Sequence, residues 1–246
     1  MTQNLLKVKY RWLFVILIMM GMTVTTIQGK IQYNGVIPSL YETILAQTDE
    51  ANLVCFLFTF LYLVVISDIC ISTKYKLYHI FLLSLVFVML FIIANIAICA
   101  IQQATFVNKW TNISYLREYK SFPIETVCIS LLLLLFRLTS MSLFVALLNR
   151  ITKVKIWSIL FVVVINILDY DIVSILNSID LVNILPIVNT KVSYTEALKP
   201  IMSGEQRVSY LCSFIYWFVI IFILTLFNII LYKKFKRKEK IICGIQ

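Results

Sequence analysis

The sequence predicts an all-α integral membrane protein with six transmembrane helices and both termini in the cytoplasm. Of its 246 residues, 61% are hydrophobic and 14% are charged, whereas a soluble domain is about 45–50% apolar and about 25% charged. The mean hydropathy is +0.93. Six apolar stretches approach or exceed the roughly 20 residues that a helix needs to cross the hydrocarbon core, and the basic residues collect on alternate connections.

The six predicted spans cover residues of about 12–28, 51–71, 79–101, 125–148, 156–175 and 209–231. The first of them could instead be a signal peptide, because basic residues precede an apolar centre. It has no A-x-A-like cleavage site, however, and bulky residues continue through Met22 and Val24. We therefore expect this first helix to be retained.

Lysine and arginine set the orientation, because they are enriched in cytoplasmic connections. With the N-terminus inside, the inner segments contain 14 of the 22 basic residues and the longer outer segments contain seven. The inner connections 72–78 and 149–155 are short, whereas the outer segments 29–50, 102–124 and 176–208 are long. This distribution predicts cytoplasmic termini, and it explains the net charge of +10 without nucleic-acid binding.

Reactive side chains are too few for the usual membrane enzymes. The chain has one histidine, His79, and it contains no HExxH, GxSxG or GxxxxGK[ST] motif, so neither metalloprotease chemistry nor ATP binding is indicated. The six cysteines form no CxxC pair, although a disulfide among Cys99, Cys128 and Cys212 is left open. The sequence predicts a non-enzymatic protein without a cofactor or metal.

A single arginine, Arg137, interrupts the apolar run LLLLLFRLTSMSLF at residues 131–144. A charge at the bilayer centre costs roughly 2.5–3.5 kcal/mol on insertion scales. On the next span, Asp169 lies at a similar height above the inner edge, and Asp171 is two residues further along. We expect an intramembrane charge pair between Arg137 and Asp169, with Asp171 as the alternate partner. The pair could fasten two helices or line a pathway.

The layout resembles that of a known family. The short inner loop within ISDICISTKYKLYHI (66–80), the turn LLNRITKVKIWSIL (147–160) and the long outer segment after span 5 are similar to features of the type-2 (ABC-2-like) permease subunits of bacterial ABC transporters. Within that family, the chain most resembles the small permeases of bacteriocin or lantibiotic export and immunity in low-GC Gram-positive bacteria.

The resemblance implies roles for three segments. The N-terminal LLKVKYRW at 5–12, with Lys7, Lys9 and Arg11, would form an interface helix on the inner surface, although its basic residues could equally be topogenic. The first inner loop, with Thr73, Lys74, Tyr75 and Lys76, would dock on an ATPase, although it could equally be a plain positive-inside loop. The outer segment 176–208 would be partly re-entrant before span 6.

The function implied by the resemblance is that of a permease subunit in an ATP-driven exporter of the bacterial plasma membrane. Its substrate would be an antimicrobial peptide or a lipid-like molecule. A separate ABC ATPase subunit would supply the energy, and the permease would pair as a homodimer or with a sister permease. The alternative is a stand-alone immunity or accessory protein, or a scaffold subunit, that works in the bilayer without a motor.

Overall fold

The structure is a computed structural model that describes residues 2–49, 57–63, 65, 77–107, 110, 122–176, 186, 189–190 and 209–243. All regular structure in these ranges is helical. Six helices have defined bounds, namely α1 (Thr2–Asn34), α2 (Leu40–Asp49), α3 (Leu77–Ile101), α4 (Pro123–Thr152), α5 (Lys155–Leu176) and α6 (Tyr210–Cys243). A further helical stretch covers residues 57–63.

Four of these helices are long and apolar enough to cross a membrane. The crossing stretches are Tyr10–Gln32 in α1, Tyr78–Ile101 in α3, Pro123–Thr152 in α4 and Tyr210–Lys234 in α6. Helix α5 contains a shorter apolar stretch, Ile156–Asp169, and most of the predicted span at 51–71 lies outside the described residues. The predicted all-helical, membrane-spanning class is confirmed, while the count of six spans stays a prediction.

Helix α4 is the centre of the bundle, since α2, α3, α5 and α6 all pack against it. In an 18-residue apolar window of its crossing stretch 67% of the residues are buried, against 11% in the corresponding window of α6. The leucine run before Arg137 is therefore largely enclosed by protein: Leu133 and Leu134 are buried, and only Leu132 is 44% exposed. Helix α1 packs on α2 and α3 at one side of this arrangement.

A two-residue connection joins α4 to α5. Lys153 takes the left-handed conformation (φ 56°, ψ 8°), and its N–H donates to the carbonyl of Asn149, which ends the helix with a hydrogen bond to a free carbonyl. Helix α5 starts at Lys155. Because the connection is so short, α4 and α5 are antiparallel neighbours. Arg137 and Asp169 each lie sixteen residues from Lys153 along the chain, so they reach the same height.

Helix α2 is buried inside the predicted outer segment 29–50, where we expected a connecting segment rather than a packed helix. Gly35, with φ of +69°, ends α1, and Ser39 and Glu42 then form a capping box. The Ser39 N–H donates to Glu42 Oε2 over 2.8 Å, and the Glu42 N–H donates to Ser39 Oγ over 3.3 Å. These bonds satisfy two N–H groups at the start of the helix. They allow a ten-residue helix to be buried among α1, α3 and α4.

The N-terminal segment 5–12, for which the resemblance implied an interface helix, is the start of a longer helix, and its position at the inner surface stays a prediction. Residues 5–12 belong to α1, which continues from Thr2 to Asn34 as one α-helix. The side chain of Arg11 is half-buried, while those of Lys7 and Lys9 lie outside the described residues. The basic residues therefore lead directly into the first span.

The three cysteines considered for a disulfide are free thiols. Cys99 is buried near the end of α3, and Cys128 and Cys212 are exposed near the starts of α4 and α6. The disulfide left open by the sequence is thus not formed, and the packing of these helices does not depend on oxidation.

We expect the substitution Ser39→Ala to lower the free energy of unfolding by about 0.5–2 kcal/mol, the usual effect of losing a helix N-cap. Thermal unfolding of the detergent-purified protein measures the change. Thr25→Ala is the control, because Thr25 is an exposed residue whose hydroxyl, among the described residues, bonds to the carbonyl of Met22 in its own helix. Equal effects of the two substitutions would show that the cap does not stabilise α2.

Candidate functional site

Arg137 is buried at the midpoint of the central helix. Fourteen residues of α4 precede it and fifteen follow it, so the charge lies roughly 21 Å from either end at 1.5 Å per residue. Its relative exposure is 1%. A guanidinium at this depth has no access to water or headgroups, and its hydrogen bonds must come from the protein.

Two parts of the chain supply those hydrogen bonds. Arg137 Nη2 donates to Asp169 Oδ2 over 3.1 Å and to Asn166 Oδ1 over 2.7 Å, both on α5. Arg137 Nη1 donates to Thr190 Oγ1 over 3.2 Å. Asp169 is itself 5% exposed, which makes this a buried ion pair. The structure thus brings together Arg137 and Asp169, the two residues paired from sequence, while the side chain of Asp171 lies outside the described residues.

Local bonds orient the partners of Arg137. Asn166 and Asp169 are three residues apart and therefore share one face of α5. The Asn166 amide nitrogen donates to the carbonyl of Val162 over 2.7 Å, which turns its oxygen towards the guanidinium. The Thr190 hydroxyl donates to the carbonyl of Pro186 over 2.7 Å, so its oxygen is free to accept. These local bonds orient the acceptor oxygens of Asn166 and Thr190 towards the guanidinium.

The segment before α6 is anchored at the same depth. Asn189 is 1% exposed, and its side-chain oxygen accepts from Ser213 Oγ over 3.1 Å. Its backbone carbonyl accepts from the indole Nε1 of Trp217 over 2.9 Å. Together with Thr190, which contacts Arg137, this places residues 189–190 between α4 and α6. Part of the predicted outer segment 176–208 therefore reaches into the bundle.

A second polar cluster joins α1, α2, α3 and α4. Asn95 Oδ1, in α3, accepts from Gln47 Nε2 over 3.2 Å and from Thr23 Oγ1 over 3.3 Å. At the next residue of α2, Thr48 Oγ1 accepts from Ser130 Oγ of α4 over 2.6 Å. All five side chains are buried. Sequence reasoning missed this cluster, because its members lie on the unpredicted helix α2 or look like ordinary polar residues of the spans.

A third polar contact joins α4 to the stretch at 57–63. Ser142 Oγ lies 2.6 Å from Tyr62 Oη and 2.8 Å from the carbonyl oxygen of Leu138, within hydrogen-bond distance of both, and the hydroxyls of Tyr62 and Ser84 also share a hydrogen bond. Ser140 likewise bonds to its own helix, with its Oγ 2.8 Å from the carbonyl oxygen of Arg137. Helix α4 thus contacts α2, α5 and the stretch at 57–63 through polar side chains.

A cavity of about 200 Å³ lies beside the Arg137 cluster, between α4, α5 and α6. Asn166 and Asp169 border one end, and Phe144 and Leu224 are among the apolar residues that border the rest. In the parts of the chain that the structure describes, no three His, Cys, Asp or Glu side chains are grouped to hold a metal ion. The site is therefore one of buried charge and apolar space.

Comparison with known proteins identifies no relative. No protein-family model, no curated protein and no solved structure matches the chain. The loop residues Thr73, Lys74, Tyr75 and Lys76, expected to dock on an ATPase, lie outside the described residues. The fold and the site define a helical membrane protein with a buried ion pair at its centre, and the resemblance to ABC-2-like permeases remains a prediction.

We expect Asp169→Asn to lower the free energy of unfolding by about 3–5 kcal/mol, because removing one member of a buried ion pair leaves the other charge uncompensated. Denaturant or thermal unfolding in detergent measures this. Asp171→Asn, two residues away, is the matched control and should have a much smaller effect. A larger effect at Asp171 would make that residue the main partner of Arg137.

The charge swap tests the same ion pair in a second way. Arg137→Asp and Asp169→Arg should each destabilise the protein, and the double variant should recover part of the loss, because opposite charges again face each other. The unfolding free energies of the unmodified protein, the two single variants and the double variant form a double-mutant cycle, which gives the coupling energy between the two positions. A double variant no more stable than the additive sum would contradict an ion pair between these positions.

We expect Thr190→Val to destabilise the protein by about 1–3 kcal/mol, because it removes a hydrogen-bond acceptor from a buried charged donor without a large change in volume. Thr139→Val is the matched control, since the hydroxyl of Thr139 bonds only to the carbonyl of Leu135. Unfolding of the purified variants measures both changes. Equal stabilities would show that residues 189–190 are held by Trp217 rather than by Arg137.

Proposed function

We propose that the chain is the permease subunit of an ATP-driven exporter in the bacterial plasma membrane, with six spans and cytoplasmic termini. The observation that supports this most is the Arg137 cluster, because an ionisable residue deep in a membrane bundle marks a functional site by default. In a transport subunit, a charge at mid-depth could line the pathway of the substrate. The substrate class is an antimicrobial peptide or a lipid-like molecule.

The proposed mechanism transmits ATPase movement to α4. The ATPase subunit would dock on Thr73, Lys74, Tyr75 and Lys76, which immediately precede α3. Helix α3 packs on α4, and α4 holds both α5 and residues 189–190 through Arg137. A displacement of α3 would thereby move α4, and with it α5 and residues 189–190. A second copy or a sister permease would complete the pathway.

A motor-free accessory or immunity protein is the second candidate. One observation favours it: the guanidinium of Arg137 is hydrogen-bonded by Asp169, Asn166 and Thr190 of its own chain. A charge held in this way acts as a latch between helices and need not contact any substrate. In that case the protein would bind its target in the bilayer, or organise a larger complex, without ATP hydrolysis.

Affinity purification of the tagged chain from its native host in mild detergent separates the two candidates. We expect an ABC ATPase subunit in stoichiometric amounts, identified by mass spectrometry and by ATP hydrolysis of the eluate. Native preparations that contain no ATPase would rule out the exporter and favour the accessory protein.

Loop variants test where the ATPase docks. Lys74→Glu combined with Lys76→Glu should reduce ATPase recovery by about tenfold or more, since opposing charges across an interface cost several kcal/mol. Lys153→Glu combined with Lys155→Glu, in the other inner connection, is the matched control. ATPase recovery that survives the first pair would reject this docking loop and leave the exporter proposal intact.

A further inference from the structure

The cavity beside Arg137 lies within the depth of the hydrocarbon core. Its α4 wall consists of Ser140, Met141 and Phe144, which follow Arg137 by three to seven residues. These residues are therefore roughly 5–11 Å from the middle of the helix. At that depth the medium outside the protein is lipid tails, because the hydrocarbon core is about 30 Å thick.

The polar groups at the cavity wall are all turned towards the protein's own chain. Asn166 is bonded to Arg137 and to the carbonyl of Val162. Ser140 Oγ donates to the carbonyl of Arg137, and the indole nitrogen of Trp217 donates to the carbonyl of Asn189. Asp169 is paired with Arg137. Each of these groups already has a partner within the protein, so an occupant would meet mainly carbon.

The size and lining of the cavity exclude ordered water as the favoured occupant. A water in a cavity needs two to four polar partners, and an apolar cavity of about 150 Å³ stays dry and binds apolar molecules. The cavity here has about 200 Å³, with walls that include Phe144, Val162 and Leu224. An empty space of this size would leave its lining without dispersion contacts. Hydrocarbon is the occupant that restores them.

The cavity can be entered from the lipid side. Helices α5 and α6 each pack on α4, but in their described parts they form no packed interface with each other. Ile165, on α5, borders the cavity and is 42% exposed. A lipid tail could therefore pass between α5 and α6 without crossing the polar clusters.

We propose that this cavity is a binding site for a single hydrocarbon chain, inserted between α5 and α6 onto the α4 wall. The headgroup of the bound molecule stays outside, because the one charged residue at the wall, Asp169, is already neutralised by Arg137. The chain belongs either to a bilayer phospholipid or to a free amphiphile such as a fatty acid. The proposal does not rest on the exporter function, because it requires no ATPase.

Photolabelling of the full-length protein in phosphatidylcholine nanodiscs tests the proposal. Two probes carry a diazirine midway along an acyl chain, one a fatty acid and the other a phosphatidylcholine. We expect adducts on Phe144 and Trp217, mapped by peptide mass spectrometry. Labelling of these residues by the phosphatidylcholine probe identifies a bilayer lipid as the source, and labelling by the fatty acid alone identifies a free amphiphile.

A bulky substitution at the wall provides the specific test. Ile220→Trp, on α6, places an indole where Ile220 borders the cavity, and we expect it to reduce labelling of Phe144 and Trp217 at least about fivefold. Ile223→Trp, three residues further and 44% exposed, is the matched control and should leave the labelling unchanged. Leu224→Phe at the wall, with the exposed Leu226→Phe as control, replaces this pair if Ile220→Trp does not fold.

Two results would overturn the proposal. Adducts confined to exposed apolar residues with both probes would show that no chain enters the cavity. Labelling of Phe144 and Trp217 that persists unchanged in the folded wall variant would show that the probe reaches them by another route. Neither result bears on whether an ATPase copurifies, so the exporter proposal stands or fails separately.

Discussion

The guanidinium of Arg137 donates to an aspartate, an amide and a hydroxyl, and these three bonds determine how α4, α5 and residues 189–190 are arranged. In lipid there is no hydrophobic force between helices, so packing and interhelical hydrogen bonds must hold them together. An arginine at mid-depth increases this demand, because leaving its charge without partners would be costly. Once α4 carries Arg137, the polar face of α5 must turn inward to meet it.

The other two polar clusters also hold helices together through interhelical hydrogen bonds, but with fewer bonds and without a charge. Asn95 joins α1 and α2 to α3, and Ser142 joins α4 to Tyr62. Each contact uses a small polar side chain within an otherwise apolar helix. The outer faces of α5 and α6 remain apolar, with exposed residues such as Phe161 and Phe222. The polar contacts between helices are concentrated around α4, and the apolar outer faces are available to lipid or to partner proteins.

The helical class, the main span limits and the Arg137–Asp169 contact could be derived from sequence for physical reasons. The lengths of the apolar stretches predict the spans. Because the connection between α4 and α5 is short, Arg137 and Asp169, which are equally distant from it along the chain, lie at the same height. Helix α2 could not be predicted in this way, because hydropathy does not detect a ten-residue helix that contains Glu42, Gln47 and Thr48. Its capping box, Ser39 to Glu42, was the available signal, although it gives a helix start and not burial.

Thr190 was also beyond sequence reasoning. Nothing in the residues around it distinguishes a threonine on a loop from one that accepts a hydrogen bond from a buried arginine. The contact depends on the path of the chain between α5 and α6, which no local pattern specifies. The sequence therefore predicted Asp169, which lies on a regular helix joined to α4 by a short turn. It did not predict Thr190, which lies on an irregular segment.

The burial of α2 has a consequence for the biogenesis of the protein. Thr48 meets Ser130 across 82 positions of sequence, and Gln47 meets Asn95 across 48. A helix of ten residues is too short to cross the bilayer by itself, so it cannot insert stably as it leaves the ribosome. The partners of these polar side chains, on α3 and α4, are synthesised only later. The buried position of α2 is therefore complete only once α4 is present.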